Sequence, residues 1–469
     1  MENIKENKMG TTPIFKLLIS MALPMVISML VQALYNIIDS IYVGQFSKDA
    51  LTAVGLAFPM QNLIIAMSTG IGVGINAILS KSLGERNNKK ASLTAFNGGI
   101  ILVAVFLIFL IIGLTLIPMY MKSLSTNNAV ISYGIDYLKI VVIGSFGLIF
   151  CVFFERLLQA TGRTTSVMIA QAVGAIINII FDPLLINGFW FIPSLGIKGA
   201  AIATIAGQYV SMILGIVLNI CFNKDLKFNK ETLKVDLKLI KNILFIGIPS
   251  AVMAAIGSVL TFMMNTVLLR FENITIPGTN EVYGDMPQTV YGLYFKLNSL
   301  FFMPIFGINN AVVPIVAYNY GAKNKEKMLK TMKYSMILVS SLMAIGTTLF
   351  LAIPGQLLSI FADSEQTAAS LALIGKPCLR IISSSFMIAA FCIVFMSMFQ
   401  ALGNGLASMC VSFVRQLVVL LPVAYLMSLT NNLNLVWLAF LIAEVVALCL
   451  SLALFIKSYR DKIKPLGAN

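Results

Sequence analysis

Two aspartates stand out because each lies in a long apolar segment of a chain that contains no histidine. Asp39 is near the far end of the first such segment, residues 17–42, and Asp182 is inside the fifth. An ionised carboxylate near the centre of a membrane-spanning helix costs about 2.5–3.5 kcal/mol on insertion scales. Acids at such depth usually bind or conduct ions, so these two residues indicate cation binding within a membrane.

Each aspartate ends a polar stripe on a predicted helix. Residues spaced by four, seven or eleven positions lie on one helical face. Two stripes that face each other inside one bundle of helices would keep both carboxylates away from lipid. The stripes are Gln32, Asn36 and Asp39 in the first segment, and Gln171, Asn178 and Asp182 in the fifth. Gln32, Asn36 and Gln171 are also candidates for the substrate path.

Two kinds of cation suit these residues. Burial and a nearby second carboxylate both favour the neutral form of an acid, so Asp39 or Asp182 could bind and release a proton near neutral pH. Alternatively, both carboxylates with Asn178 and Thr204 form an all-oxygen site of the class that Na⁺ occupies. Pro183 frees a backbone carbonyl that could join either site, because proline has no N–H to donate. A third interpretation, without ion binding, places Asp182 and Asn178 at the cap of a broken helix and Asp39 among lipid headgroups.

The composition of the chain predicts which secondary-structure elements position these residues. The chain has 469 residues, of which 58% are hydrophobic and only 11% charged, and its mean hydropathy is +0.91. Membrane-length apolar runs without period-2 alternation predict an all-α polytopic membrane protein. We expect twelve spans, at residues 17–42, 51–79, 94–117, 134–155, 166–188, 199–222, 243–269, 290–317, 334–354, 377–399, 408–428 and 435–457.

The net charge of +14 is explained by the loops between these spans and does not indicate a nucleic-acid partner. Alternate loops are rich in lysine and arginine, for example residues 81–90 and 323–333. Because cytoplasmic loops carry the excess of basic residues, this pattern places both termini in the cytoplasm. The loops on the other side contain only Lys48, Lys122, Lys198, Arg270 and Lys376.

The chain repeats itself, which predicts two six-span lobes related by a pseudo-two-fold axis along the membrane normal. Residues 1–222 form the predicted N-lobe, 223–242 a cytoplasmic linker and 243–469 the C-lobe. The amphipathic run 233–240 either lies on the membrane surface or belongs to a plain solvated linker. The repeated motifs pair Ala22-Leu-Pro24 with Gly247-Ile-Pro249, Gly55 with Gly292, Gly70 with Gly307, Gly84 with Gly321, and Gln159-Ala-Thr-Gly162 with Gln400-Ala-Leu-Gly403.

The order and spacing of these motifs across twelve spans resemble the bacterial branch of the multidrug and toxic compound extrusion family. The resemblance implies a V-shaped pair of six-helix lobes that exports organic cations in exchange for H⁺ or Na⁺. It implies a multi-pass protein of the bacterial cytoplasmic membrane that contacts lipid, functions as a monomer and has no cofactor beyond the counter-ion. The motifs are Leu23-Pro24, Asp39, Gly84, Gln159-Ala-Thr-Gly162, Asn178-Ile-Ile-Phe-Asp182-Pro183, Gly199-Ala-Ala-Ile-Ala-Thr204 and Pro314-Ile-Val-Ala-Tyr-Asn-Tyr-Gly321.

The second half does not repeat the acids, because Met264 and Asn265 stand where the repeat places Asp39. It offers instead Lys296 and Glu444, which we expect to form a buried ion pair. That pair would either bridge two helices or take part in substrate binding or gating. Arg415 is expected to reach the nearer membrane interface.

The fourth span brings a further acid and base, Glu155 and Arg156, to its predicted inner end. Ordinary solvation at the interface is the expected state of both side chains, and an inner-surface salt bridge is the alternative. Neither residue is therefore assigned to the predicted cation site.

Other classes of function are less consistent with the sequence. A membrane-embedded enzyme is not expected, because the chain has no histidine, no metal-ligand cluster and no nucleophile constellation. A flippase for lipid-linked glycans or anionic lipids is the main alternative, but Lys296 is the only basic residue well placed at membrane depth to hold a phosphate. The 25 methionines and 31 phenylalanines suit an adaptable drug cavity, although most such residues serve packing or face lipid.

Overall fold

The computed structural model describes residues 7–188, 193–277, 281–361 and 365–467. Within these ranges, ten helices are long and apolar enough to cross a membrane, and two bent helix pairs raise the number of spans to twelve. This confirms the predicted all-α architecture. The first half contains α1 (Lys8–Thr11), α2 (Ile14–Phe46), α3 (Lys48–Gly84), α4 (Asn88–Thr115), α5 (Ile117–Leu124), α6 (Asn128–Ile143), α7 (Phe146–Ala160), α8 (Thr164–Ile186) and α9 (Ile197–Phe222).

The second half repeats this order from α2 onwards. The eleventh span is interrupted, because α16 continues through a π-helical segment, Val414–Leu420, into α17. The helices are α10 (Leu237–Leu268), α11 (Met286–Gly321), α12 (Lys325–Ala352), α13 (Pro354–Ser359), α14 (Glu365–Ser383), α15 (Phe386–Ala401), α16 (Gly405–Phe413), α17 (Leu421–Ser428) and α18 (Leu433–Ser458).

The fourth and tenth spans, which the sequence predicts at residues 134–155 and 377–399, are bent. α6 meets α7 at 43°, and the part of α14 from Leu371 meets α15 at 47°. A sharp kink needs a local break in the helical hydrogen bonds, and Gly144 with Ser145 and Ser384 with Ser385 supply the breaks at equivalent positions. The two lobes therefore share this bend.

The lobes meet along a seam formed by α2 and α3 on one side and α10 and α11 on the other. The repeated glycines Gly70 and Gly307 lie in this seam, because only a residue without Cβ lets two helix backbones approach so closely. A Cβ on Gly307 would lie 2.8 Å from the backbone of Val26 in α2, and one on Gly70 would overlap the backbone of Ala251 in α10. The helix backbones of the two lobes therefore contact each other directly at these points of the seam.

We call the end of the molecule that carries the basic loops 81–90 and 323–333 the basic end. Here Gly84 packs on the carbonyl of Tyr318, and Gly321 packs reciprocally on the carbonyl of Lys81. At the opposite end, a Cβ on either Gly55 or Gly292 would meet nothing within 4 Å. The lobes are thus in tight contact at the basic end, and these two glycines at the other end have open space beside them.

The N-terminal segment adds a second contact between the lobes at the basic end. Met9 is fully buried, and its carbonyl accepts a hydrogen bond of 3.4 Å from Asn319 of the C-lobe. Asn7 donates to the carbonyl of Thr161 at 3.2 Å and to the carboxylate of Asp225 at 3.3 Å, both on the N-lobe side. Residues near the N-terminus therefore tie the lobes together in the observed conformation.

The connection between the lobes is shorter than the sequence suggests. α10 begins at Leu237, with the side chain of Asp236 accepting hydrogen bonds from the first helical N–H groups. Residues 233–236 precede the helix and are held by Asn97, which donates to the carbonyl of Lys234 and accepts from the N–H of Asp236. The run 233–240 is consequently not one amphipathic helix.

Candidate cation-binding site

The predicted site residues lie where α2, α8 and α9 pack together in the N-lobe. α8 crosses α9 at Gly174 and Gly207, where a Cβ on Gly207 would lie 2.6 Å from the carbonyl oxygen of Gly174. This close crossing brings Asn178 of α8 and Thr204 of α9 to the lining of one cavity. The hydroxyl of Thr204 donates to the carbonyl of Ala200 at 3.0 Å, so its lone pairs remain available.

Asp39 and Asp182 face each other between α2 and α8, close enough for their carboxyl groups to interact directly. Asp182 is fully buried, and neither of its oxygens has a hydrogen-bond partner among the described residues. Two carboxylates cannot hydrogen-bond to each other unless one of them carries a proton. The pair is therefore suited to sharing a proton or to holding a cation between its oxygens.

α8 is continuous through Pro183 to Ile186, so Asp182 does not cap a broken helix. Asp39 lies seven residues before the end of α2 at Phe46 and is partly buried, with one buried oxygen that lacks a partner. The capping role considered for Asp182 and Asn178 is therefore wrong. Both acids belong to the interior of one helix bundle.

A cavity of about 100 Å³ lies between α2, α7, α8 and α9, on the basic-end side of this pair. We call it the N-lobe cavity. Its lining includes Ser28, Gln32, Tyr35, Gln171 and Asn178. It is smaller than the ~300–1,000 Å³ of typical small-molecule sites and large enough for several water molecules. Its size therefore suits small ions and water, and a drug-sized molecule would not fit.

Polar atoms along this cavity lack partners. Asn178 is 3% exposed, and neither its amide nitrogen nor its oxygen is hydrogen-bonded within the described chain. The same is true of the hydroxyl of Ser28 and the side-chain carbonyls of Gln171 and Gln208. A buried polar group left unsatisfied costs about 1–3 kcal/mol. Several such atoms around one cavity indicate that it binds water or a cation.

Two tyrosines close the site around Asp39. Tyr35 interacts with Gln32 and lies within electrostatic range of both aspartates. Tyr137 of α6 is 3% exposed and accepts a hydrogen bond of 3.1 Å from Gln61 of α3. Neither tyrosine is conspicuous in the sequence, since an aromatic residue in an apolar helix usually serves packing.

Glu155 is the acid that the sequence analysis placed wrongly. Both Glu155 and Arg156 are buried, at 4% and 8% exposure, and no salt bridge joins them in the described chain. Glu155 lines the N-lobe cavity and accepts a hydrogen bond of 2.7 Å from Gln171. Arg156 instead donates to Gln159 and, across the seam, to Asn310, both at 2.9 Å. The bend between α6 and α7 moves this part of the fourth span into the bundle.

Of the predicted substrate-path residues, Gln32 and Gln171 line the N-lobe cavity, whereas Asn36 does not. Asn36 is exposed, so it does not belong to the buried polar stripe of the first span. A helix has 3.6 residues per turn, and a stripe of four- and three-residue steps drifts around the helix.

The predicted ion pair between Lys296 and Glu444 is not formed. Lys296 is exposed, with its ammonium 5.9 Å from the ring centre of Phe361. Glu444 of α18 pairs with Arg415 of the π-helical segment at 3.3 Å, and both side chains are less than one-fifth exposed. The extra residue in a π-helical turn rotates the following side chains, which explains how Arg415 points into the bundle and not toward the interface.

The repeat relates this ion pair to the N-lobe cavity. Cys151 of α7 and Cys392 of α15 precede the equivalent Gln159 and Gln400 by the same number of residues. Cys151 lines the N-lobe cavity, and Cys392 contacts the backbone of Glu444. The C-lobe thus has an internal guanidinium–carboxylate pair where the N-lobe has unpaired polar atoms. Asp182 and Glu155 of the N-lobe are buried without a salt bridge in the described chain, whereas Glu444 of the C-lobe has one.

One known protein family matches this chain in both lobes. Residues 24–184 and 272–426 match the MatE family model, with one segment in each repeat and well over half of the chain in total. The chain belongs to the MatE family. This confirms the resemblance to multidrug and toxic compound extrusion proteins.

Relatives of this MatE protein span nearly its whole length. It is 26% identical to the multidrug export protein MepA of Staphylococcus haemolyticus, over 94% of this chain and 93% of the relative. It is also 26% identical to the probable multidrug resistance protein NorM of Thermotoga maritima, over 96% of both chains. The crystal structure of a MATE protein in complex with MaL6 superposes with a TM-score of 0.88, at 24% identity and 100% coverage of both chains, and shows the same fold.

Proposed function

We propose that this MatE protein is a secondary transporter that exports organic cations in exchange for H⁺ or Na⁺. The observation that carries the proposal is the pair of facing carboxylates, Asp39 and Asp182, with no basic partner within salt-bridge distance among the described residues. Such a pair binds one monovalent cation far more readily than it tolerates two negative charges. Binding and release of that cation would alter the packing of α2 against α8.

The coupling ion can supply work on the scale that conformational change requires. One elementary charge that moves through a membrane potential of 100 mV releases about 2.3 kcal/mol. A shift of that size changes the ratio of two conformations by roughly fiftyfold. Occupancy of the aspartate pair could therefore bias the lobes between two states.

The seam supports alternating access as the mechanism. The lobes are closed at the basic end through Gly84, Gly321 and the N-terminal segment, while Gly55 and Gly292 at the opposite end have open space beside them. The positive-inside rule places the basic end in the cytoplasm of a bacterial cell. An alternating-access cycle would then require the contacts at the basic end to separate when the protein opens to the cytoplasm.

The substrate class is inferred from the relatives. MepA and NorM carry the names of multidrug export and resistance proteins, and they align with nearly all of this chain. A cationic drug is also consistent with the unpaired acids of the N-lobe, whereas a phosphate-bearing glycan lipid would need free basic groups. Arg415 is already paired with Glu444, and Arg156 is hydrogen-bonded across the seam.

The test is export of ethidium from proteoliposomes, with H⁺ and Na⁺ gradients imposed separately. Asp39→Asn and Asp182→Asn should each lower gradient-driven export by about tenfold or more, a loss of at least about 1.4 kcal/mol. Asp136→Asn is the matched control, because Asp136 lies at the surface and pairs with Lys198 at 3.4 Å. Full export by both site variants would refute the proposal. The gradient that drives the wild-type protein identifies the ion.

A further inference from the structure

Glu155 is a buried carboxylate that the proposed coupling pair does not include. It lies on α7, five residues before the helix ends at Ala160, on the side of the cavity nearer the basic end. Its oxygens accept hydrogen bonds from two neutral donors, Gln171 at 2.7 Å and the thiol of Cys151 at 3.2 Å. Two donors aimed at one carboxyl group stabilise its charged form in the absence of a counter-ion. Glu155 is thus held as a proton acceptor inside the bundle.

The N-lobe cavity extends from Glu155 to within about one helical turn of each aspartate. Its wall contains Glu155, Asn178, which is four residues before Asp182, and Tyr35, which is four residues before Asp39. Asp182 and Gln171 are eleven residues apart on α8, which corresponds to about 16 Å along the helix axis. The unpaired polar atoms of Ser28, Gln171, Gln208 and Asn178 are spaced along this distance. Hydroxyl and amide groups that hold water form a path along which a proton can move.

Few charged or titratable groups face Glu155 from the helices packed around it. On α7 they are Cys151 and Arg156, and on α2 the lining contributes Tyr35. The lining residues of α8 and α9 are glycine, alanine, amides and hydroxyls. Arg156 is engaged with Gln159 and Asn310, so no base in the described chain pairs with Glu155.

We propose that Glu155 is a second proton-binding site, which takes the proton from the Asp39–Asp182 pair through the N-lobe cavity and releases it toward the basic end. The proton leaves a protonated aspartate, which returns to its carboxylate form, and neutralises the carboxylate of Glu155. It is then lost to the cytoplasmic side, and Glu155 is charged again. This inference rests on the proposed transport function and specifies H⁺ as the coupling ion.

The experiment compares Glu155→Gln with Asp182→Asn in the full-length protein reconstituted in proteoliposomes that contain a pH-sensitive dye. Glu155→Gln should lower the maximal rate of ethidium export and the linked proton flux by about tenfold or more, and change ethidium binding affinity by less than about threefold. Glu155→Asp, which retains an exchangeable proton, should restore part of the rate and guards against loss by misfolding. Glu326→Gln is the acid-to-amide control, because Glu326 is an exposed residue paired with Lys330 on the same helix.

Each outcome has a distinct meaning. Wild-type export and proton flux in Glu155→Gln, together with an inactive Asp182→Asn, would overturn the role of Glu155 and leave the proposed function intact. Export driven by a Na⁺ gradient without proton movement would also overturn it. Full export by both aspartate variants would instead refute the proposed function itself.

Discussion

Replacement of Gly307 by alanine should disrupt the seam between the lobes. The new Cβ would lie 2.8 Å from the backbone N and Cα of Val26 in α2, where ordinary contacts are 3.4–4 Å. Backbone atoms cannot move aside as a side chain can, so α2 and α11 must separate by about 0.6 Å. Overpacking of this kind costs about 1–3 kcal/mol.

The matched control is Gly292→Ala on the same helix, since a Cβ there meets nothing within 4 Å. Both changes gain about 1 kcal/mol from the better helix propensity of alanine, so their difference isolates the steric cost at the seam. A cost of about 1–3 kcal/mol that acts only while the seam is closed at Gly307 would shift the balance of conformations by roughly 5–150-fold.

The assays are thermal unfolding in detergent and ethidium export from proteoliposomes. Gly307→Ala should unfold at a lower temperature than Gly292→Ala and export more slowly, while Gly292→Ala should match or exceed the wild-type stability. Equal unfolding temperatures and equal export rates for the two variants would refute the reasoning, because they would show that the seam tolerates a methyl group at Gly307.

Three further predictions concern other parts of the molecule. Glu444→Gln should destabilise the protein by about 3–5 kcal/mol in chemical unfolding, because it leaves Arg415 buried without its partner, and Arg415→Met combined with Glu444→Leu should recover most of that loss. Gly207→Ala should push α9 away from Gly174 and raise the coupling-ion concentration needed for half-maximal export by about tenfold or more. A wild-type value of that concentration would argue against this prediction. Lys323→Asn should stabilise the protein by about 0.5 kcal/mol, because Lys323 has a φ of 55° and asparagine tolerates that conformation better than lysine. The unfolding temperature should therefore rise slightly, and a lower unfolding temperature would contradict this prediction.

Burial of residues inside a predicted span was the least predictable feature of the site. Asp39 and Asp182 could be predicted from the sequence because an acid in an apolar segment is costly whichever direction its side chain faces. Glu155 was missed because it lies near the predicted end of a span, where solvation is the default expectation. Only the bend between α6 and α7, and the hydrogen bond from Gln171, show that Glu155 is inside the bundle.

The ion pair of the C-lobe is a second feature that the sequence did not predict correctly. Sequence spacing suggested Lys296 as the partner of Glu444, but the choice of partner depends on the rotation of each helix about its axis. A π-helical segment changes that rotation within one turn and directs Arg415 to Glu444. Such a segment leaves no clear signal in composition or hydrophobic period.

The amino-acid sequence by itself determined the class of fold, the twelve spans, the two-fold repeat and the two acids of the predicted cation site. It did so because the bilayer imposes length and apolarity on every span and makes each intramembrane charge conspicuous. The tertiary structure alone decided which polar side chains share a cavity, which acid has a basic partner and which end of the seam is closed. Those outcomes depend on helix bends, rotations and glycine contacts between residues far apart in the chain, and a one-dimensional pattern of hydropathy does not contain them.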